Sequence, residues 1–362
     1  MKPRLLFDAH LDLSYNAVDF NRDLRWPLER IRRHELGRTD HVCRSRGTVC
    51  FPEMRRGRIG LCVATQLARH VDPFSRMPGC NSPEQAWAWT QGQHAWHVEM
   101  EHAGELRQLR TGAEVAAHAA VWLKADDAEA ARLPIGYVLS LEGADSLVSR
   151  RHLDTAYGYG LRIVGLTHYG PGVHGQGTDA TGPLTPRGRD LLRELRSLGI
   201  ILDATHLSDA SFRDALDHWD GPVWASHSNC RALAAWNRQF DDAQIRELAR
   251  RGAVIGMAFD AIMMVHGWAH HRSRPEDFQL RLEKIVEHMD HICQLTGTSG
   301  HLAIGSDLDG GFGTEQTPMD LDTIADLARL GDLLAGRGYS GDDIEGILWG
   351  NAVSFLERHL PS

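Results

Sequence analysis

Short runs of apolar, often β-branched residues recur along the whole chain, and stretches with helical periodicity separate most of them. Several runs are continuously apolar rather than alternating, which is typical of strands buried on both faces of a parallel sheet. The pattern predicts eight strands, at Leu5–Leu13, Ile59–Leu67, Ile135–Leu141, Leu161–Thr167, Ile200–Ala204, Pro222–Ser226, Ala253–Phe259 and Leu302–Ser306.

The helical segments carry recognisable start signals. Ser82-Pro83-Glu84-Gln85 has the form of a capping box with proline at the first helical position. Residues 16–58 are rich in arginine and lack clear periodicity, so we expect an elaborated loop with an irregular first helix. Further helices are predicted at Arg187–Leu198, Asp209–His218, Asp241–Arg251, Glu276–Leu295 and Leu321–Arg337, followed by Asp342–Trp349 and Ala352–His359.

Eight strands that alternate with helices predict an α/β fold, a (β/α)8 TIM barrel with extra helices at the C-terminal end. No linker, repeat or low-complexity segment interrupts the pattern, so a single catalytic domain over residues 1–362 is expected.

Composition and charge narrow the class of protein. With 42% hydrophobic and 24% charged residues, the chain is typical of a soluble globular protein. A formal charge of −9 without a long basic run argues against nucleic acid or an anionic membrane as a partner. The N-terminus leads into the first strand without an apolar signal stretch, and the six cysteines form no CxxC pair. These features predict a cytoplasmic protein with reduced thiols.

Ionisable side chains stand at the ends of six of the predicted strands. His10 and Asp12 are two residues apart, so in an extended strand they point the same way. Active-site groups of a barrel come from the C-terminal strand ends, where such residues are costly unless paired or metal-bound. The other five candidates are Glu142, His168, His206, His227 and Asp307.

The types of these residues predict a metal site. Imidazoles and carboxylates without thiolates suit Zn²⁺ or a similar divalent ion. Five ligands exceed what one open zinc site needs, so a two-metal site with a bridging carboxylate fits better. Two metals about 3.5–4 Å apart lower the pKa of a bridging water to about 7, which serves amide hydrolysis. A free carboxylate such as Asp307 could take the proton of that water and return it to the leaving amine.

The ordered segments AHLDL, LEG, LTH, DATHLS, ASHS and IGSDLDG resemble the renal (membrane) dipeptidase family, peptidase family M19 of the amidohydrolase superfamily. The resemblance runs roughly from Phe7 to Glu357 and includes Gly182–Gly188 and Asn237–Asp241. It implies a (β/α)8 barrel, a homodimer, two zinc ions per chain, and hydrolysis of dipeptides by a metal-bridging hydroxide.

The resemblance also implies a role for each candidate. His10 and Asp12 would bind one zinc ion, His206 and His227 would bind the other, and Glu142 would bridge the two.

Three further residues take roles in catalysis and substrate binding by the same resemblance. Asp307 would shuttle the proton, and His168 would contact the substrate and stabilise the oxyanion. Arg238 would hold the terminal carboxylate of the dipeptide, where a guanidinium can bind bidentately. The family usually has Arg-Asn where this chain has Arg238-Gln239.

Ordinary structural roles are the alternatives for single residues. His10 and Asp12 could form a hydrogen-bonded pair, and Glu142 could complete a turn. His206 and His227 could be core histidines. Arg238 could form a surface salt bridge with a neighbouring aspartate, and Asp309 is expected to fix loop backbone rather than to act in catalysis.

Two motifs are interpreted as unrelated to function. Gly170–Gly175 fits GxGxxG, but no helix is predicted to open there, so a dinucleotide site is not expected. His94, His97 and Glu101 share one face of a helix and are predicted to form a solvated polar face rather than a metal site. The roles of His174 and of the cluster His266, His270 and His271 stay open.

Three functional hypotheses follow. The first is a cytoplasmic binuclear zinc dipeptidase, whose substrates could extend to L-Xaa-D-Xaa dipeptides. The second keeps the site but changes the substrate to an N-acyl amino acid or another small amide or lactone. The third is a non-catalytic binding barrel, which the presence of every expected ligand disfavours.

Overall fold

A computed structural model describes residues 4–71 and 78–362. Within them, nine strands form one sheet in which every pair is parallel. The strands are β1 (Leu6–Leu11), β2 (Ile59–Leu67), β3 (Leu106–Gln108), β4 (Ile135–Glu142), β5 (Leu161–Gly165), β6 (Ile201–Asp203), β7 (Val223–Trp224), β8 (Ile255–Met257) and β9 (Leu302–Ile304).

Eight of these strands close into a barrel. Their order is β7-β6-β5-β4-β2-β1-β9-β8. The two ends of this row meet at a parallel bridge between Ala225 and Ile255, where the Ala225 N–H donates to the Val254 carbonyl at 3.0 Å. The (β/α)8 barrel is therefore confirmed, and all eight predicted strands are present. Six of them are shorter than predicted, β2 has the predicted bounds, and β4 extends one residue further, to Glu142. The sequence did not reveal β3, a three-residue strand that pairs with the first residues of β4.

Helices cover most of the outside of the barrel. They are α1 (Leu13–Val18), α2 (Leu28–His34), α3 (Phe51–Arg56), α4 (Pro83–His102), α5 (Gly112–Lys124), α6 (Asp127–Ala130), α7 (Arg150–Gly158), α8 (Pro186–Ser197), α9 (Asp209–Asp217), α10 (Asp242–Arg250), α11 (Ala261–Met264), α12 (Lys284–Thr296), α13 (Leu330–Arg337), α14 (Gly341–Glu345) and α15 (Asn351–His359). No helix of the described ranges is long and apolar enough to cross a membrane.

Two predicted helices are interrupted. The segment predicted as Glu276–Leu295 begins as a 3₁₀ turn at Pro275–Phe278, and α12 starts only at Lys284. Gln279 has a φ of +48°, a left-handed conformation that ends the first turn. The segment predicted as Leu321–Arg337 likewise starts with a 3₁₀ turn at Ile324–Arg329 before α13.

The prediction that His94, His97 and Glu101 form a solvated face of α4 is wrong, because that face packs against the barrel. The His97 ring is fully buried and stacks on Tyr137 with ring centroids 4.9 Å apart. The Tyr137 hydroxyl donates to Glu101 at 2.6 Å, and His94 stacks on Tyr159 at 4.0 Å. The polar residues of this helix thus meet polar residues at the barrel surface, while Trp89 is 45% exposed.

Burial of His97 gives a testable pH dependence of stability. Burial lowers its pKa from 6.5 to about 3, so between these values the unfolded chain binds a proton that the folded chain does not. Its contribution is complete above about pH 6.5 and is lost as the pH falls, at about 1.4 kcal/mol per pH unit. We expect the free energy of unfolding, measured with urea between pH 7.5 and 5, to fall less steeply in His97→Phe than in the wild type. Replacing His102, which is exposed at the end of the same helix, by glutamine serves as the control. Equal slopes in all three proteins would contradict this account.

Candidate active site

The strand ends bring four of the predicted metal ligands around a fifth, the carboxylate of Glu142. Its Oε1 lies 3.1 Å from Nε2 of His206 and 3.3 Å from Nε2 of His227. Its Oε2 lies 3.7 Å from Nε2 of His10, and that atom is 3.5 Å from Oδ2 of Asp12. The two oxygens of one carboxylate therefore face two separate sets of candidate ligands.

Neighbouring hydroxyls orient two of the imidazoles. Nδ1 of His206 lies 2.8 Å from the Thr178 hydroxyl, and Nδ1 of His227 lies 2.8 Å from the Ser226 hydroxyl. When Nδ1 carries the proton and donates it to these oxygens, Nε2 is left with a free lone pair toward Glu142. Such contacts fix the tautomer and ring orientation that a metal ligand requires.

The donor set fits a pair of divalent cations. His10, Asp12 and Glu142 form one group with ligand atoms within 4.8 Å of one another, and Glu142, His206 and His227 form another. Asp12 Oδ1 and His10 Nε2 are buried without a hydrogen-bond partner, which is costly unless another group meets them. Nitrogen and oxygen donors without sulfur suit zinc and similar ions.

The electrostatics of the site favour positive charge. Burial alone would lower the pKa of His10, but the carboxylates of Glu142, Asp12 and Asp307 outweigh it and raise the pKa to about 10. His10 thus sits where three buried acidic groups draw a cation. A metal ion in the same place would compete with the proton on this imidazole.

Asp307 lies beside the same cluster. Its carboxylate is 3.9 Å from Nε2 of His10 and 4.0 Å from Nε2 of His227, and these three residues form a third group that could hold a metal. Burial, together with Asp12 and Glu142, raises the pKa of Asp307 well above its usual value. A Cβ at Gly310 would lie 2.0 Å from Asp307 Oδ1, so only glycine leaves room for this carboxylate.

Asp309 fixes backbone, as predicted. Its carboxylate accepts from the N–H groups of Thr48 at 2.7 Å and Val49 at 3.1 Å, and it also pairs with the buried Arg22 at 3.2 Å. The amide of Asn16 donates to the carbonyls of both Asp12 and Asp309. Residues of the segment 16–58, which the sequence left without an assigned role, therefore hold two strand ends of the site together.

His168 lies next to the two sets of candidate ligands. Its Nε2 is 3.8 Å from Glu142 Oε1, and its ring centroid is 4.4 Å from that of His206. Burial, reinforced by Arg69 and Arg238, lowers its pKa to about 3, so the ring is neutral at physiological pH. A neutral imidazole carries one N–H that can donate to a substrate oxygen.

The glycine-rich loop after β5 supports the site. It does not lead directly into a helix, as a dinucleotide-binding GxGxxG motif would. It folds back on itself through a bridge between Pro171 and Gln176, and the next helix begins only at Pro186. The Thr178 N–H donates to the His168 carbonyl at 2.9 Å. His174 is buried, lies outside the cavity wall, and has no partner for Nδ1 among the described residues.

Arg238 is buried and lines the cavity, so the alternative that it forms a surface salt bridge is wrong. Its Nη1 donates to the Ser228 hydroxyl and its Nη2 to the His227 carbonyl, both at 2.7 Å. The neighbouring Gln239 donates to the Met263 carbonyl at 2.6 Å and lies outside the cavity wall. Glutamine in place of the asparagine usual in the family therefore affects a side chain that holds loop backbone, and not the wall of the cavity.

These side chains open onto a cavity of about 450 Å³. Sequence reasoning missed several of its residues, because most of them lie in loops whose folds depend on distant contacts. His266, His270 and His271 are all exposed, and of the three only His270 lines the cavity. The lining residues that were not predicted include Tyr15, Arg69, Tyr169, Asp179, Trp236, Asp260 and Gln316.

Comparison with known proteins places the chain in a family. The family model for membrane dipeptidases, peptidase family M19, matches residues 1–359. An uncharacterized protein in the pqqA 5′ region of Klebsiella pneumoniae is 31% identical over 70% of this chain and 94% of its own length. Dipeptidase tcpJ of Claviceps purpurea is 29% identical over 62% of this chain, a match that covers 51% of tcpJ.

Solved structures share the fold. Dipeptidase AC, a metallopeptidase of family M19, superposes with a TM-score of 0.78 at 24% identity, covering 99% of both chains. A metallopeptidase from Rhodobacter sphaeroides, solved with a phosphinate mimic of the dipeptide L-Ala-D-Ala, gives 0.78 at 23% identity over 98% of this chain and 99% of its own. The barrel, the convergent donor groups and the full-length match agree: this chain belongs to the membrane dipeptidase family, peptidase family M19, and is a hydrolase of the metallo-dipeptidase type.

Proposed function

We propose that this protein is a binuclear zinc dipeptidase that cleaves the peptide bond of dipeptides. The observation that carries the proposal is the shared carboxylate of Glu142. One oxygen faces His206 and His227, and the other faces His10 and Asp12, as a bridge between two metals requires.

Two zinc ions held there would supply a nucleophile from water near pH 7 and polarise the scissile carbonyl. Asp307 takes the proton of the attacking water and returns it to the leaving amine as the C–N bond breaks. His168 donates its N–H to the carbonyl oxygen as that oxygen gains negative charge. Arg238 holds the terminal carboxylate of the dipeptide on the cavity wall.

The role of Arg238 is tested by replacing it with alanine. Its Nη1 already donates to the Ser228 hydroxyl and its Nη2 to the His227 carbonyl, so some loss on every substrate is expected. Dipeptides should lose about 10- to 100-fold more kcat/KM than the matching dipeptide amides, because a charge-assisted hydrogen bond contributes about 1.5–3 kcal/mol. Arg246→Ala, an exposed position on α10, is the control. Equal losses on acids and amides would make Arg238 purely structural.

The reaction class is tested with the zinc-loaded protein on a library of dipeptides, N-acyl amino acids and lactones. Highest kcat/KM on dipeptides supports the proposal, and including L-Xaa-D-Xaa members tests the proposed tolerance of D-residues. A preference for N-acyl amino acids or lactones would replace it with another amidohydrolase activity. No turnover and no bound metal in protein purified without chelator would favour a binding barrel.

Location and assembly belong to the same proposal. All six cysteines are free thiols, which supports a reducing compartment such as the cytoplasm. A homodimer is proposed from the family resemblance alone, and light scattering checks it with the chain mass of 40.3 kDa as reference.

A further inference from the structure

A second arginine reaches the cavity from the side opposite Arg238. Arg69 follows β2, whereas Arg238 follows β7, and these two strands lie four places apart in either direction around the closed sheet. These two are the only permanently charged cations among the described residues of the cavity wall. Two positive groups that face each other across one cavity suit a substrate with two anionic groups.

The charged residues of the cavity wall differ in whether their side chains have hydrogen-bond partners within the protein. Asp179 accepts from the Trp236 indole at 2.9 Å, and Asp260 accepts from the Gln316 amide at 2.8 Å. Both Nη atoms of Arg238 have protein acceptors.

The guanidinium of Arg69 has no such support. It makes no hydrogen bond and no ion pair with residues 4–71 or 78–362, and its buried Nε is without an acceptor. Its guanidinium lies over the ring of Tyr169, with Cζ 5.9 Å from the centroid. Burial lowers the pKa of this arginine, although the more distant carboxylates of Glu142 and Asp145 act in the opposite direction. A buried donor of this kind is costly unless a ligand supplies the acceptor.

We propose that Arg69 determines specificity by binding a side-chain carboxylate of the substrate, so that dipeptides containing Asp or Glu are preferred. The inference rests on the proposed function, in which Arg238 already holds the main-chain carboxylate. A cavity of about 450 Å³ has the size of small-molecule sites, so it accommodates a dipeptide together with a charged side chain. A carboxylate also matches the planar donor geometry of a guanidinium.

The test compares kcat/KM within isosteric pairs, Ala-Glu with Ala-Gln and Glu-Ala with Gln-Ala. We expect the wild type to prefer the acid of at least one pair by about 10- to 100-fold, since such a bond is made to a charged group. Arg69→Gln should bring that ratio near one, and Arg69→Lys should restore part of it. Arg358→Gln, at an exposed position of α15, should keep the wild-type ratio.

Three results would overturn the inference. One is a wild-type ratio near one while neutral dipeptides are hydrolysed, which leaves the proposed function standing. A second is a loss in Arg69→Gln that is equal for acids and amides of each pair, which makes Arg69 a packing residue on Tyr169. The third is a loss in Arg69→Gln on dipeptides with a free C-terminus but not on their amides, which makes Arg69 the main-chain carboxylate site. Hydrolysis of no dipeptide at all would overturn the proposed function itself.

Discussion

Glu142→Gln should lose at least one of the two metals and most of its activity. Glutamine keeps the size of the side chain but removes the negative charge between His10, His206 and His227. Lewis-acid stabilisation by a metal contributes several kcal/mol, and each 1.4 kcal/mol is a factor of ten. We therefore expect kcat/KM on dipeptides to fall by about 10³-fold or more, with metal content measured by mass spectrometry on the same samples.

A second glutamate provides a matched control for this variant. Glu101 lies on α4, accepts a hydrogen bond from the Tyr137 hydroxyl, and stands outside the cavity wall. Because an amide oxygen can accept the same bond, Glu101→Gln should keep both metals and full turnover. Two metals and near wild-type kcat/KM in Glu142→Gln would contradict the bridging role.

Asp307→Asn should keep the metals and lose turnover. The amide occupies the same space beside His10 and His227 but cannot accept and return a proton. General acid–base catalysis contributes roughly 10²–10⁴-fold, so kcat should fall by that factor while KM changes little. The measurement combines steady-state kinetics with metal analysis of the same protein.

The position of Asp307 also allows an alternative role, as a metal ligand. Asp307 shares a possible three-ligand group with His10 and His227. If Asp307→Asn loses one metal, Asp307 is a ligand rather than a proton shuttle. Unchanged kcat with two metals bound would remove it from the reaction altogether.

The strands and the central residues of the site were predictable from the sequence for one physical reason. Strands buried on both faces must be continuously apolar, so an ionisable residue at the end of such a run stands out. His10, Glu142, His206 and His227 were recognised in this way, and they do converge at one rim of the barrel.

Other features depend on contacts between distant parts of the chain. Asp309 accepts a hydrogen bond from Thr48, which lies 261 residues earlier in the sequence, and no local pattern in segment 16–58 predicts this contact. His97 has the spacing of an exposed helix face, yet its partner Tyr137 comes from a strand forty residues later. Arg69 is one arginine among many in the sequence, and only the fold brings it to the cavity without an acceptor.

The central claim is that one carboxylate joins two metals, and X-ray anomalous scattering at the zinc edge tests it most directly. Crystals of the zinc-loaded protein should give two peaks about 3.5–4 Å apart. One should lie by His10 and Asp12, the other by His206 and His227, with the oxygens of Glu142 between them. A single peak, or two peaks that do not share Glu142, would contradict the account.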